Sequence, residues 1–183
     1  GVVLLRIAPG ADGYHVLWDP SRGRHRATSE LPAHLLVHAR LAEASPVHPV
    51  VLHTHPTHLL ALNHSPVGAS EPSLNRALWS MLPEVKLLVP EGVALAPYRL
   101  PGTTELAEET SAALRRHRVV VWDRHGALAV ERDLVEAFDL LDVLDKAARV
   151  FLLCLASGFE PRGLGAAELA DLAELATRLG LGP

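Results

Sequence analysis

The chain has 183 residues, 49% of them hydrophobic, and a formal charge of −4, which gives it the size of one globular domain with a substantial core. Its acidic balance, with no Lys/Arg cluster beyond the short "RGRHR" at 22–26, excludes nucleic-acid binding as its main business, because affinity for a phosphate backbone needs a basic footprint. A single cysteine, Cys154, excludes an internal disulfide and a thiolate zinc finger; no apolar run approaches the ~20 residues of a membrane span, no signal peptide opens the sequence, and a soluble cytoplasmic protein is expected.

Strands and helices alternate along the sequence. "VVLLRI" and "YHVLW", joined by "APGADG", read as a hairpin of two strands. In "TSELPAHLLVHARLAEA", Ser29 is a plausible helix N-cap, and Leu31, Leu35, Ala39 and Ala42 recur at helical spacing. A buried strand, "VVLHTH", follows, and Pro56 fits the first turn of a short helix "THLLALNH", where no amide donor is required. "EPSLNRALWSML" reads as a helix, "VKLLV" as a strand and "PEGVALAPYRLPG" as a proline-punctuated loop. Thr103 or Thr104 caps "TELAEETSAALRRH", with acids in its first turn and bases in its last, as the helix dipole favours. "RVVVWD" and "ALAV" are strands about a tight "RHG" turn; a long helix from Asp133 to Ser157, stopped by Gly158, and an Ala/Leu helix ended by Gly180 complete the chain. The expected fold is α/β, a single domain over residues 1–183 with a central mixed or antiparallel sheet flanked by helices.

Three histidines fall within six residues of "VVLHTHPTHL" (50–59). On a strand, residues two apart share a face, so His53 and His55 present imidazoles roughly 6–7 Å apart at the backbone, close enough to converge on one ion. Two polar residues ending a strand is the plain alternative, and a helical pair of His55 and His58, three apart, competes. A metal site with an open position needs a third protein ligand. The best candidate is His125, in the turn between two predicted strands and followed by a glycine that permits close backbone approach. His58 reads as a supporting or surface residue, His64 as surface, and His117 as a dipole-favoured surface residue at a helix end among arginines. His15, His25, His34, His38 and His48 have no convergent partner by spacing.

"TSELPAHLLVHARL", "VVLHTHPTHLLAL", "LPEVKLLVPEGVALAPYRLPGT", "VVVWDRHGALAV" and "EAFDLLDVLDKAARV" together resemble the class II aldolase/adducin family, over nearly the whole chain and in the right order. The resemblance implies a zinc ion held by His53, His55 and His125, with Glu30 of "SEL" as the acid/base residue beside it. It implies that Glu84 reaches the zinc site of a neighbouring subunit as a proton donor in a fourfold ring, and that Thr28 and Ser29 lie on the substrate's phosphate side. The family's glycine- and serine-rich phosphate loops belong upstream of Gly1. The chain is therefore expected to be a fragment, a short member with altered activity, or one whose missing piece comes from another subunit.

The implied reaction is reversible cleavage of a ketose 1-phosphate, which leaves an enediolate on the three-carbon fragment. An ion held by three neutral imidazoles keeps its full double charge and suits stabilisation of that anion. No Schiff-base lysine is then needed, which fits a chain whose two lysines, Lys86 and Lys146, sit in no setting suggesting a lowered pKa. Glu30 at a helix start suits proton transfer to carbon; its alternative reading is a helix-dipole glutamate. Three other functions stay open. Epimerases and dehydratases of the family share the metal set, the adducin branch uses the fold for protein interaction, and a zinc hydrolase would use the same ligands, although no H-E-x-x-H helix is present. "LWSMLPEV" places Leu78, Trp79, Met81 and Leu82 just before Glu84, either as an interface cluster or as part of the chain's own core.

Overall fold

The run Val119–Trp122 is apolar at every position, which suits a strand whose two faces are both covered. The computed structural model describes residues 2–8, 13–24, 27–44 and 50–181; His25 and His48 lie outside them. Its elements are β1 (Leu4–Ile7), β2 (Tyr14–Trp18), α1 (Leu31–Ala44), β3 (Val50–Thr54), α2 (Thr57–Asn63), a 3-10 turn (Pro66–Ala69), α3 (Glu71–Met81), α4 (Pro83–Leu88), β4 (Ala94–Ala96), α5 (Thr104–Ala113), β5 (Val119–Trp122), β6 (Gly126–Glu131), α6 (Leu134–Ala156) and α7 (Ala166–Leu179). The main sheet runs β3-β6-β5-β4, antiparallel except for the parallel pair β4–β5. It is the mixed sheet expected. β1 and β2 form a separate antiparallel hairpin whose second strand is exposed throughout.

Side-chain alternation divides the core between the two faces of the sheet. Val119, Val121, Ala127 and Ala129 turn towards Leu59 and Leu62 of α2, Leu74 and Leu78 of α3 and Leu140, Leu141 and Leu144 of α6. Val120, Trp122, Leu128 and Val130 turn the other way, onto Ala33 and Val37 of α1 and Leu106 and Ala107 of α5. No described helix is long and apolar enough to cross a membrane.

Several local expectations are corrected. "VKLLV" is helical: Pro83 starts α4, and Val85 and Val89, one turn apart and both 0% exposed, bury one face of it, so packing overrides β propensity. A short strand, β4, lies inside the stretch read as a loop. In α1 the buried set is Ala33, Leu35 and Val37, while Ala42 is exposed. Ser29 does not cap that helix, since its hydroxyl is turned to the Glu30 carboxylate. Thr103 does cap α5, accepting from the Leu106 amide, but no base lies in that helix's last turn. Leu78 is fully buried, the Trp79 indole donates to the Val89 carbonyl at 2.9 Å, and Trp79, Met81 and Leu82 pack on the chain's own core. That cluster is core, not an open interface. Lys86 departs from expectation too: burial lowers its pKa against the opposing pull of Glu91, and its ammonium sits 3.7 Å over the Trp79 ring while donating to the Pro90 carbonyl. This is a helix-end clamp.

Candidate metal centre

Along β3, Val50 and Leu52 pack on the α6 side of the sheet and Val51 on the α1 side. Alternation therefore turns His53 towards α1. There it meets Trp122, with ring centroids 4.4 Å apart, and its Nδ1–H donates to the Ala127 carbonyl at 3.0 Å. That bond leaves Nε2 unprotonated and free to ligate. Just past the strand end, His55 brings its Nε2 to 3.1 Å from that of His53.

His125 arrives from the opposite hairpin. β5 and β6 pair Trp122 with Gly126, so Asp123, Arg124 and His125 form a three-residue loop. Its ring centroid lies 5.3 Å from both His53 and His55. Gly126 makes this possible: a Cβ there would lie 2.6 Å from the His53 ring, 2.7 Å from the His55 ring and 2.8 Å from the Thr54 carbonyl. One ligand atom from each of His53, His55 and His125 lies within 4.8 Å of the other two, the only group of three or more such residues among those described that could hold a metal ion.

Glu30 joins them from the foot of α1. It is 5% exposed, and its Oε1 lies 3.7 Å from His125 Nε2 and accepts from the Ser29 hydroxyl at 3.0 Å. Its backbone N–H donates to the Thr28 hydroxyl at 3.3 Å. The α5 approach loop presses on the same segment, where Gly102 at φ +79° would set a Cβ 2.7 Å from the Ser29 carbonyl. Two buried polar atoms in this group have no hydrogen-bond partner, Glu30 Oε2 and His125 Nδ1. Buried polar atoms are seldom left so, and a divalent ion among the three imidazoles fits both the vacancy in bonding and the donor set.

Burial pushes the His53 imidazole down to about 4, with the Ala127 carbonyl opposing and His55 and His125 adding to the fall. Burial also lowers His125 against the pull of Glu30. Near neutral pH both rings are therefore uncharged, the form that ligates a metal.

The remaining histidines separate cleanly. His58 turns away to Asp145, Nδ1 to Oδ2 at 2.7 Å, and the same carboxylate accepts from the His58 and Leu59 amides at the start of α2. The helical pair with His55 is thus not formed. His64 is exposed, as expected. His117 is not the surface residue expected, since its Nδ1 donates to the Gly92 carbonyl at 3.1 Å and its side chain is 15% exposed. His34, read as partnerless, stands one turn after Glu30 and interacts electrostatically with Glu30, His38 and His53. Glu84 is exposed in the first turn of α4 and has no hydrogen bond or ion pair to the three histidines within the described chain. Sequence reasoning missed Thr110, whose hydroxyl accepts from the Trp122 indole at 2.8 Å and fixes the ring behind His53.

Fold and site together define an α/β domain with a cluster of three histidines that could hold a metal ion, beside a buried carboxylate. The chain belongs to the class II aldolase/adducin family: the profile described as Class II Aldolase and Adducin N-terminal domain matches residues 3–152. It is 36% identical over 169 residues to a rhamnulose-1-phosphate aldolase of Bacteroides thetaiotaomicron, covering 92% of this chain and 62% of that protein. It is 33% identical over 171 residues to a rhamnulose-1-phosphate aldolase of Listeria monocytogenes, covering 93% and 62%. The crystal structure of a sugar-phosphate aldolase from Thermotoga maritima superposes with a TM-score of 0.71 at 34% identity, over 81% of this chain and 61% of that one. The chain thus spans about three-fifths of the length of these relatives.

Proposed function

We propose that the chain carries the active site of a zinc-dependent aldolase. The reaction is reversible cleavage of a ketose 1-phosphate, L-rhamnulose 1-phosphate or a close analogue, to dihydroxyacetone phosphate and an aldehyde such as L-lactaldehyde. The observation that carries this reading is the convergence of His53, His55 and His125 within 4.8 Å beside the buried, half-unpartnered Glu30; the similarity to rhamnulose-1-phosphate aldolases supplies the substrate class. Tetrahedral zinc with Zn–N near 2.0–2.1 Å needs nitrogens about 3.3 Å apart, and His53 Nε2 and His55 Nε2 are 3.1 Å apart.

When bound, zinc supplies the positive charge that offsets the anion developing on the three-carbon fragment. The chain's own residues do the rest. The Ala127 carbonyl holds His53 in its ligating tautomer. Glu30 sits where a carboxylate can deliver a proton to the carbon freed by bond cleavage and remove it in the reverse direction. Trp122, 1% exposed, walls the site against water from the sheet side. Thr28 and Ser29 are exposed at the mouth of this segment, where their hydroxyls can meet the substrate's phosphate. An aldehyde-release assay over a panel of ketose phosphates tests the proposal. The zinc-loaded protein should release aldehyde from at least one member, lose that activity to a chelator and regain it on added zinc. No release from any member would sink the aldolase reading.

We further propose a homotetramer in which Glu84 serves the zinc site of the adjacent chain as a proton donor. Its exposure on α4 and the exposed apolar side chains of Leu134, Val135 and Phe138 at the start of α6 support an assembly, since clustered exposed apolar side chains mark contact surfaces. Glu84→Ala should lower activity without loss of metal, and mixing it with His53→Ala should restore part of the activity, because the two defects then fall on different chains. A monomer by light scattering, or no recovery where subunits demonstrably exchange, would overturn the shared site.

A further inference from the structure

The loop that presents His125 is a three-residue connection with Arg124 at φ +57°, a left-handed conformation that a non-glycine residue adopts only when its surroundings hold it there. All three of its amides are held. Asp123 N–H donates to the Ala96 carbonyl at 3.0 Å, and His125 N–H donates to the Trp122 carbonyl at 2.9 Å. Arg124 N–H donates to a side chain, the Asn63 Oδ1, at 2.7 Å. Asn63 is the last residue of α2, 4% exposed, and its Nδ2 donates to the Gly68 carbonyl at 3.1 Å. Gly68 in turn is wedged against that helix end, where a Cβ would meet the Leu62 carbonyl at 2.2 Å. One buried amide thereby spans from the end of α2 to the strained residue directly before a metal ligand.

We infer that Asn63 is a positioning residue for the metal centre: through the Arg124 amide it fixes the loop that aims the His125 imidazole at His53 and His55. α2 begins two residues after His55, so the same short helix that follows two ligands locks the third. The inference rests on the three-histidine reading of the site. Buried groups that orient a ligand are worth roughly 10–100-fold in metal affinity, and Asn63 acts at one remove, through the backbone, so the lower end of that range applies.

The molecule contains its own control. Asn75, 6% exposed, makes a comparable pair of bonds to a segment that carries none of the three ligands, donating to the Val93 carbonyl at 2.8 Å and accepting from the Val93 amide at 2.7 Å. The test is Co²⁺ titration of the metal-stripped protein, followed by the visible absorption of the bound ion and alongside thermal melting. Asn63→Ala and Asn63→Ser should bind Co²⁺ about tenfold more weakly than the wild type, with altered absorption intensity. Asn63→Asp, which keeps the acceptor for the Arg124 amide, should lie nearer the wild type. Asn75→Ala should melt at a lower temperature and keep wild-type Co²⁺ affinity. Equal affinity losses in the Asn63→Ala and Asn75→Ala variants would reduce the effect to general destabilisation and overturn the inference. So would wild-type affinity in both Asn63→Ala and Asn63→Ser, or failure of both to fold. A wild-type protein whose Co²⁺ binding is untouched by His125→Ala would instead remove the metal reading itself, a result distinct from failure of the clamp.

Discussion

Replacing His53, His55 or His125 with alanine should strip the protein of most of its metal, measured as metal per chain after gel filtration. The three residues come from two segments brought together by the pairing of β3 with β6, and among the described residues no fourth histidine joins the group. His58 is committed to Asp145 at 2.7 Å, and His34 belongs to no group of three. Loss of a ligand should weaken binding by at least the roughly 10–100-fold that loss of a supporting partner costs. His55→Ala should be the best behaved of the three, because His55 is exposed and its loss leaves no cavity, whereas His53 packs against Trp122. His58→Ala should keep its metal and lose thermal stability, since it surrenders the Asp145 contact. A His58→Ala protein without metal beside a His53→Ala protein with it would mean that the ligand set is wrong.

Glu30→Gln should keep metal and fold while turnover falls by roughly 10²–10⁴-fold, the usual share of general acid–base catalysis. The substitution preserves size, and Gln can still accept from the Ser29 hydroxyl that now bonds Oε1 at 3.0 Å. What it removes is the ability to carry a proton, and it can place an amide N–H₂ where Oε2 now has no hydrogen-bond partner. Unchanged cleavage would take Glu30 out of the chemistry; an unfolded variant would return it to the role of a residue holding the start of α1.

Much of this site can be read from the sequence where the signal is local. Two-residue periodicity suffices to put His53 and His55 on one face, and a glycine after a tight turn suffices to mark His125 as capable of close approach. Nothing in the spacing joins His125 to that pair; the family resemblance does. The parts that escape reading depend on contacts between distant segments. "VKLLV" has the composition of a strand and becomes a helix because Val85 and Val89 are buried on one side. β4 is three residues of Ala and Leu, too short and too weak in propensity to announce itself, and it exists because β5 offers it a parallel edge. Asn63 and Thr110 look like ordinary polar residues near helix ends until their partners, Arg124 and Trp122, are known.

The pairing of β3 with β6 sets the order in which the protein can acquire its ion. His53 bonds a carbonyl 74 residues away in sequence, so the third ligand reaches the first two only after a long loop has closed, with the entropy that this costs. The unfolded chain offers an incoming ion the neighbouring histidines His53, His55 and His58, without His125 beside them. Loading of the proposed site would therefore follow the pairing of β3 with β6, and a bound ion would stabilise the native state in proportion to its free concentration and tie that strand pair together.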